Sequence, residues 1–574
     1  MKSFMKSSLK LGMILMLGIF LLSPTLKGSE SPSNPVVLKA MEEELSRSMK
    51  VLGEKGSPPP YFIGYQITDT QEVSISASFG AIGNIDEDRS RLLYVEVRVG
   101  NHQLDSTHPI RGDRYSSIFD YFSSPVPISL EDDVDSIKSA IWLETHQKYK
   151  TAVEKLIKVN TSQSVSVKEE DQSDDFSKET PQKYIGELHS LSPDIQAWET
   201  KLKDFSALFN RHPEIHTSSV SLNAQAENKY FVNSEGTSLL HGSTHWRLSF
   251  YATTKADDGM ELAKYKSFDA RTLENLPGDE KIKAAIEEVM KDLMALRSAP
   301  VMEPFTGPAI LSGEAAAVFF HEIFGHRIEG HRQKSEEEGQ TFTKKINQEV
   351  LPTFLTVYDD PNLQQYDNTD LNGHYLYDDE GIKAQRANLV EKGILKGFLM
   401  SRSPIKGFSN SNGHGRCQPG LRPVSRQGVL VVEASQTLPE KELRQMLIKE
   451  CKTQGKEYGL LFKDVTGGFT STTRYRPEAF NVTPVIVFKI YTDGRPDELV
   501  RGVNLIGTPL TSFSKIIAAG QEAGIFNGYC GAESGSVPAS GISPALLTAQ
   551  IEVQKKYKDS DKPPVLPPPD RREK

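Results

Sequence analysis

Cysteine is scarce in this chain. Its 574 residues carry only three, Cys417, Cys451 and Cys530, too few to staple a small secreted scaffold. An odd number in an exported chain leaves at least one thiol unpaired or bound to something else. Whether Cys417 and Cys451 pair is not decided by their positions. Positive charge is also short: 67 Lys and Arg stand against 76 Asp and Glu, a net charge of −9. That balance argues against nucleic acid as a partner, which calls for a basic stripe. Beyond the N-terminus no apolar run approaches a membrane span, and no internal repeat is visible.

The N-terminus itself reads as an export signal. Lys2, Lys6 and Lys10 precede an apolar stretch from Leu11 to Leu22. The stretch is too short to cross a bilayer comfortably and suits the core of a signal peptide. Residues 1–28 are therefore expected to be removed on export to the periplasm or medium, leaving no membrane span. The cut would fall near Gly28, although no A-x-A site marks it. No cysteine follows the apolar stretch, which argues against a lipid anchor.

The rest reads as α+β. Residues 29–300 form a first domain. Helical spacing from Asn34 to Leu52 is followed by alternating, strand-like text from Tyr61 to Val99, and by a helix at about Leu130 to Ile157. Residues 160–182 are polar, mostly acidic, and expected as a disordered insertion. A helix at Ile195–Asn210, strands between Thr217 and Thr254 and a helix at Lys281–Leu296 complete an antiparallel sheet with helices. A Pro-containing link, 299–308, leads into a second domain, 301–557, with a mixed or antiparallel sheet and helices expected at Leu438–Gln454 and Ser512–Ala523. The tail, 558–574, is Pro-rich and expected to be disordered.

The strongest chemical signal opens the second domain. His321-Glu322-Ile323-Phe324-Gly325-His326 follows the small apolar run Gly313 to Phe320, which reads as a buried helix. Two neutral imidazoles can hold a metal ion, and a carboxylate beside one of them can take a proton from water. The histidines are five apart, about 140° around an ideal helix. Both reach one ion only if the helix breaks between them, and Gly325 is where a break costs least. These residues alone leave the third donor open. His331 repeats the five-residue spacing, and Cys530, among glycines in Asn527–Gly535, is either a ligand or a small buried loop residue. Glu329 is a ligand, a residue orienting one, or a surface carboxylate. His414, in a Gly-rich loop, is a substrate contact or a structural histidine.

Together these segments resemble the TldD/PmbA family of metallopeptidases. The likeness rests on the block Gly313–Gly330, on Asp378-Asp379-Glu380-Gly381 with Gly397–Met400 beyond it, on Ser411–Arg416, and on Gly528-Tyr529-Cys530-Gly531 with Ser536-Val537-Pro538. It is good from about Pro308 to Leu547 and thin before that. The resemblance implies one Zn2+ per chain held by His321, His326 and Cys530, with Glu322 as general base. It implies hydrolysis of small or unfolded peptides by the catalytic, motif-bearing side of the family. It also implies a dimer, either of two copies or with a motif-lacking homologue. Two other classes fit the same residues: a non-catalytic exported partner holding structural metal, and a metal-dependent hydrolase of a non-peptide bond. Intact Glu322 weighs against the first, since a structural site has no use for a base.

Overall fold

A computed structural model describes residues 35–110, 125–165, 170–475 and 480–556, with positions 564, 566 and 569. The expected signal segment and nearly all of the expected Pro-rich tail lie outside these residues. The α+β class expected from the sequence is the one adopted, with an antiparallel sheet first and a mixed sheet second.

Two long hairpins build the first half. Strands Pro60–Ser78 and Ala81–Val99 form one, and Thr217–Asn233 and Ser238–Lys255 the other. The hairpins pair antiparallel through their first strands, from Gly64↔Asn233 to Ala77↔Val220. Alternation puts Ile63, Tyr65, Ile67, Val73, Ile75 and Ala77 on one face. Helices Val36–Lys55 and Val134–Val165 cover one end of that face. Helices Ile195–Ala207 and Asp279–Ser298 cover the other. The opposite face meets the second half, where Gln66 and Lys229 both donate to the Asp379 carboxylate.

Residues 160–182 are not a free insertion over their described part. Helix Val134–Val165 runs further than expected, and Phe176 is buried. The guanidinium carbons of Arg98 and Arg402 stand 3.7 and 3.8 Å from its ring centroid. One aromatic residue, held between cations from the two halves, orders a stretch whose composition alone reads as disordered.

In the second half the strand Gly535–Lys555 is the hub. It pairs antiparallel with Ile516–Ala532, Val503–Gly507 and Phe305–Leu311, and parallel with Val429–Ala434. The helix expected over Ser512–Ala523 does not form. Only Pro509–Phe513 is helical, and Ile516 opens a strand that continues to Ala532. The alanines of this window favour a helix locally, but pairing with the hub strand overrides that preference.

The helix Gly313–Ile323 lies across this hairpin at a distance only small residues permit. A Cβ on Gly313 would stand 2.1 Å from the backbone nitrogen of Gly524, and one on Gly524 would stand 2.2 Å from that of Glu314. A Cβ on Gly541 would be 3.2 Å from the Ala317 Cβ. Gly313, Ala317 and His321 follow one another at four-residue intervals on one helix face. The small run thus seats the helix and aims His321 at the hairpin.

These contacts predict a graded effect. Gly524→Ala should destabilise the fold by about 1–3 kcal/mol, the usual cost of overpacking. Gly541→Ala, with 3.2 Å of room, should cost clearly less. Urea denaturation of the two variants beside the parent checks this, and equal costs would contradict it.

Candidate metal centre

Ser312 caps the buried motif helix, its Oγ accepting from the Ala315 N–H at 3.3 Å. The α-helix stops at Ile323, and Gly325–Arg327 form a 3-10 turn. His321 and Glu322 therefore sit in the last α-helical turn and His326 just beyond the break. The two imidazoles end edge to face, with ring centroids 5.1 Å apart and an interplanar angle of 84°.

Gly325 serves the break through room rather than through an unusual dihedral. A Cβ there would fall 1.9 Å from the Oε1 of Gln427. The buried Gln427 amide donates to the His321 carbonyl at 3.3 Å. Arg327 satisfies other carbonyls freed at the helix end. Its Nη1 donates to the Glu322 carbonyl at 3.1 Å and to Thr470 Oγ1 at 2.7 Å, and its Nη2 to the Ser471 carbonyl at 2.8 Å.

The third donor arrives from the hairpin. Cys530 lies in the strand Ile516–Ala532, opposite Val537, so it is a strand residue and not a loop residue. Its Sγ is 3.4 Å from His326 Nε2. The ligand atoms of His321, His326 and Cys530 all lie within 4.8 Å of one another, and all three residues are buried. His321 Nδ1 is buried without a hydrogen-bond partner.

Electrostatics tie the cluster together. Burial pushes the Cys530 thiol up, but His326, His321 and the Arg426 guanidinium outweigh it and hold the thiol well below its usual range. Burial pushes His326 down, and Cys530 and Glu329 outweigh that and hold it well above the usual imidazole value. Burial likewise opposes charge on His321, and Cys530 reverses it. A thiolate beside protonated imidazoles is a donor set whose protons a metal ion would displace.

A buried ring of charge surrounds the donors. Glu329 is fully buried, with Oε1 3.4 Å from His326 Nδ1 and Oε2 accepting from Arg332 Nε at 2.7 Å. Burial alone would raise its pKa, but Arg332 and His326 hold it down to about 2. Arg332 also donates to Glu533 at 2.8 Å. Arg426 donates to the Cys530 carbonyl and, at 2.8 Å, to Ser534 Oγ. Such partners fix the orientation of ligands and their tautomers.

Glu322 faces a large cavity of about 1640 Å³, which His321, His326 and Cys530 also line. Gly468 backs its side chain: a Cβ there would stand 2.5 Å from Glu322 Cγ. A larger residue at 468 would push the carboxylate out of place.

The other candidates lie elsewhere. His331 is outside the cluster, its Nε2 bonded to the Glu533 carboxylate. His414 is fully buried between Asn412 and Asp359, with Nδ1 2.9 Å from Asn412 Oδ1 and Nε2 3.2 Å from Asp359 Oδ1, which is a structural position. Cys417 and Cys451 are both free and buried. Sequence reasoning missed Gln427, Arg426, Arg327 and Gly468. Only the Gly467–Gly468 pair within a strand-like run carried a local signal.

The two-sheet α+β chain sets His321, His326 and Cys530, which could hold a metal ion, beside the Glu322 carboxylate. Residues 305–555 match the PmbA/TldA metallopeptidase C-terminal domain. That match covers somewhat under half of the chain, and over it the chain is similar to the TldD/PmbA family. It is 29% identical over 271 residues to a protein named a metalloprotease from Archaeoglobus fulgidus, covering 47% of this chain and 57% of that one. It is 26% identical over 290 residues to a metalloprotease TldD homolog from Haemophilus influenzae, covering 49% and 55%. The chain thus spans little more than half the length of these relatives. The fold is similar to that of TldE from Thermococcus kodakarensis, with a TM-score of 0.58 at 14% identity over 90% of this chain and all of that one.

The packing at the break predicts a rescue. Gly325→Ala should destabilise the chain by about 1–3 kcal/mol, because the new methyl displaces Gln427. Truncating Gln427 to Ala in the same chain should recover part of that loss, giving a non-additive cycle. Additive costs in a thermal-melt cycle would contradict the contact.

Proposed function

We propose that this chain is a zinc-dependent peptidase, with His321, His326 and Cys530 as ligands and Glu322 as general base. The supporting observation is convergence: three N and S donors meet within 4.8 Å, beside a carboxylate on the wall of one cavity. The set fits zinc, which takes imidazole and thiolate together and in catalytic sites keeps a position open beyond three protein ligands. His321 Nδ1, buried and unpartnered, is the kind of polar atom a bound ion satisfies.

Bound zinc would polarise the scissile carbonyl and acidify water, the chemistry of metal-assisted hydrolysis. Glu322 accepts a proton from the attacking water and returns it to the leaving amine. Gly468 leaves room for that carboxylate, and the Glu329 carboxylate stands 3.4 Å from His326 Nδ1. The cavity, at about 1640 Å³, exceeds the roughly 300–1,000 Å³ usual for small-molecule pockets. That size favours a peptide over a small metabolite. Export, and pairing with a second copy or a motif-lacking homologue, belong to the same proposal. The N-terminal sequence of secreted material and its mass in solution check them.

Glu322→Gln should keep about one zinc per chain and lose about 10²- to 10⁴-fold in peptide hydrolysis. His321→Ala and Cys530→Ala should lose the metal as well. Metal content by mass spectrometry, read beside cleavage of a peptide library, separates these effects. Parental activity in Glu322→Gln would rule out the base, and full metal in Cys530→Ala would rule out the thiolate ligand.

A further inference from the structure

Arg426 carries a fully buried guanidinium. A cation taken out of water persists only where acceptors and anions replace the lost solvation. Its acceptors cluster on one end of the hairpin. Nη2 donates to the Cys530 carbonyl, and Nη1 to Ser534 Oγ at 2.8 Å and to the Gly535 carbonyl at 3.0 Å. All three are neutral. Gln427, the next residue, donates to the His321 carbonyl at 3.3 Å. Two consecutive residues thus hold the backbone at two of the three donors, one on the hairpin and one on the motif helix.

Neutral acceptors leave the charge itself to be balanced. Glu329 does this only in part. Its Oε1 stands 3.7 Å from Arg426 Nε, and that Nε has no hydrogen-bond partner among the described residues. Arg332 engages Glu329 more closely, at 2.7 Å from Oε2. The other anion is the Cys530 sulfur. Burial opposes the charge on Arg426, and Cys530, ahead of Glu329, restores it. Three cations bear on that sulfur in the metal-free chain: His326, His321 and Arg426. A metal ion would displace the protons of the two imidazoles. A guanidinium keeps its proton.

We infer that Arg426 is the positioning residue of the thiolate donor. It holds the Cys530 backbone and, of those three cations, is the one that stays charged against the sulfur once metal is bound. The inference rests on the zinc–thiolate reading above. A thiolate donates more charge to an ion than an imidazole does, and so leaves it a weaker Lewis acid. A fixed cation beside the sulfur draws part of that charge back, as groups around a cysteine sulfur tune other metal sites. Arg426 would thus keep a sulfur-bound zinc electrophilic enough for hydrolysis, without itself touching substrate or metal.

Cobalt(II) loaded in place of zinc reports on the sulfur directly, through the sulfur-to-cobalt charge-transfer band in the near ultraviolet. Arg426→Gln removes the charge, whereas Arg426→Lys and Ser534→Ala keep it and remove ties to the hairpin. Arg426→Gln should move the band to lower energy, because no cation then holds the sulfur electrons. Arg426→Lys and Ser534→Ala should leave it near the parent position. In the zinc-loaded protein, Arg426→Gln should lose about 10- to 100-fold in kcat for a fluorogenic octapeptide, with KM little changed and most of the loss recovered in Arg426→Lys. Equal band shifts in the Gln and Lys variants would overturn the inference, since a packing role predicts them. If Arg426→Gln does not fold, the two charge-keeping variants decide: a band at the parent position supports the cation, and a shifted one assigns Arg426 to packing alone. A band present in the parent and unmoved in Arg426→Gln overturns this inference and leaves the zinc–thiolate reading standing. A parent without the band shows that Cys530 is not a ligand, and both fall together.

Discussion

The contact on which the rest depends is the close approach of the helix Gly313–Ile323 to the hairpin of Ile516–Ala532 and Gly535–Lys555. Gly313 and Gly524 meet backbone to backbone, where a Cβ on either would lie within 2.2 Å of the other strand's or helix's nitrogen. Only residues without side chains allow that distance. The donors follow from it. His321 is two turns beyond Gly313 on the same face, and Cys530 lies six residues beyond Gly524 along the strand. His326 and Cys530, 204 apart in sequence, are thus brought together by the packing of the helix and strand on their small residues.

Space also governs the motif's second half. Histidines five apart cannot share an ion on a regular helix, so the helix ends and a 3-10 turn carries His326 back. Gln427 fills the volume beside Gly325, and Arg327 caps the carbonyls left behind. Gly468 does for Glu322 what Gly325 does for the break. The charged ring of Glu329, Arg332, Arg426 and Glu533 then surrounds the donors. Buried ions on this scale cost desolvation and persist because each is paired. The pairs are shared, with Arg332 meeting Glu329, Glu338 and Glu533 at once, so a change at one member is felt by the others.

Much of the candidate site is legible in the sequence. The small run before His321, the five-residue spacing and the need for a break at Gly325 are local features, and local features survive into structure. Cys530 stays open on residues alone, because a strand residue among glycines reads like a loop. Its place depends on pairing with Val537, which lies across the hairpin turn. The strand from Ile516 reads as a helix for a related reason: its alanines favour a helix, and only the hub strand Gly535–Lys555 decides otherwise. The acidic stretch 160–182 misleads through composition, since one Phe176 between two guanidiniums outweighs many polar neighbours. Gln427 and Arg426 are invisible in sequence because their roles exist only across the fold.

X-ray absorption at the zinc edge of the metal-loaded protein tests the centre most directly. Two nitrogens at about 2.0–2.1 Å and one sulfur at about 2.3 Å, typical of zinc bound by imidazole and thiolate, are the expected first shell, together with a light-atom scatterer in the open position. A shell of nitrogen and oxygen alone would contradict Cys530 as a ligand and would leave the hairpin without its part in the site.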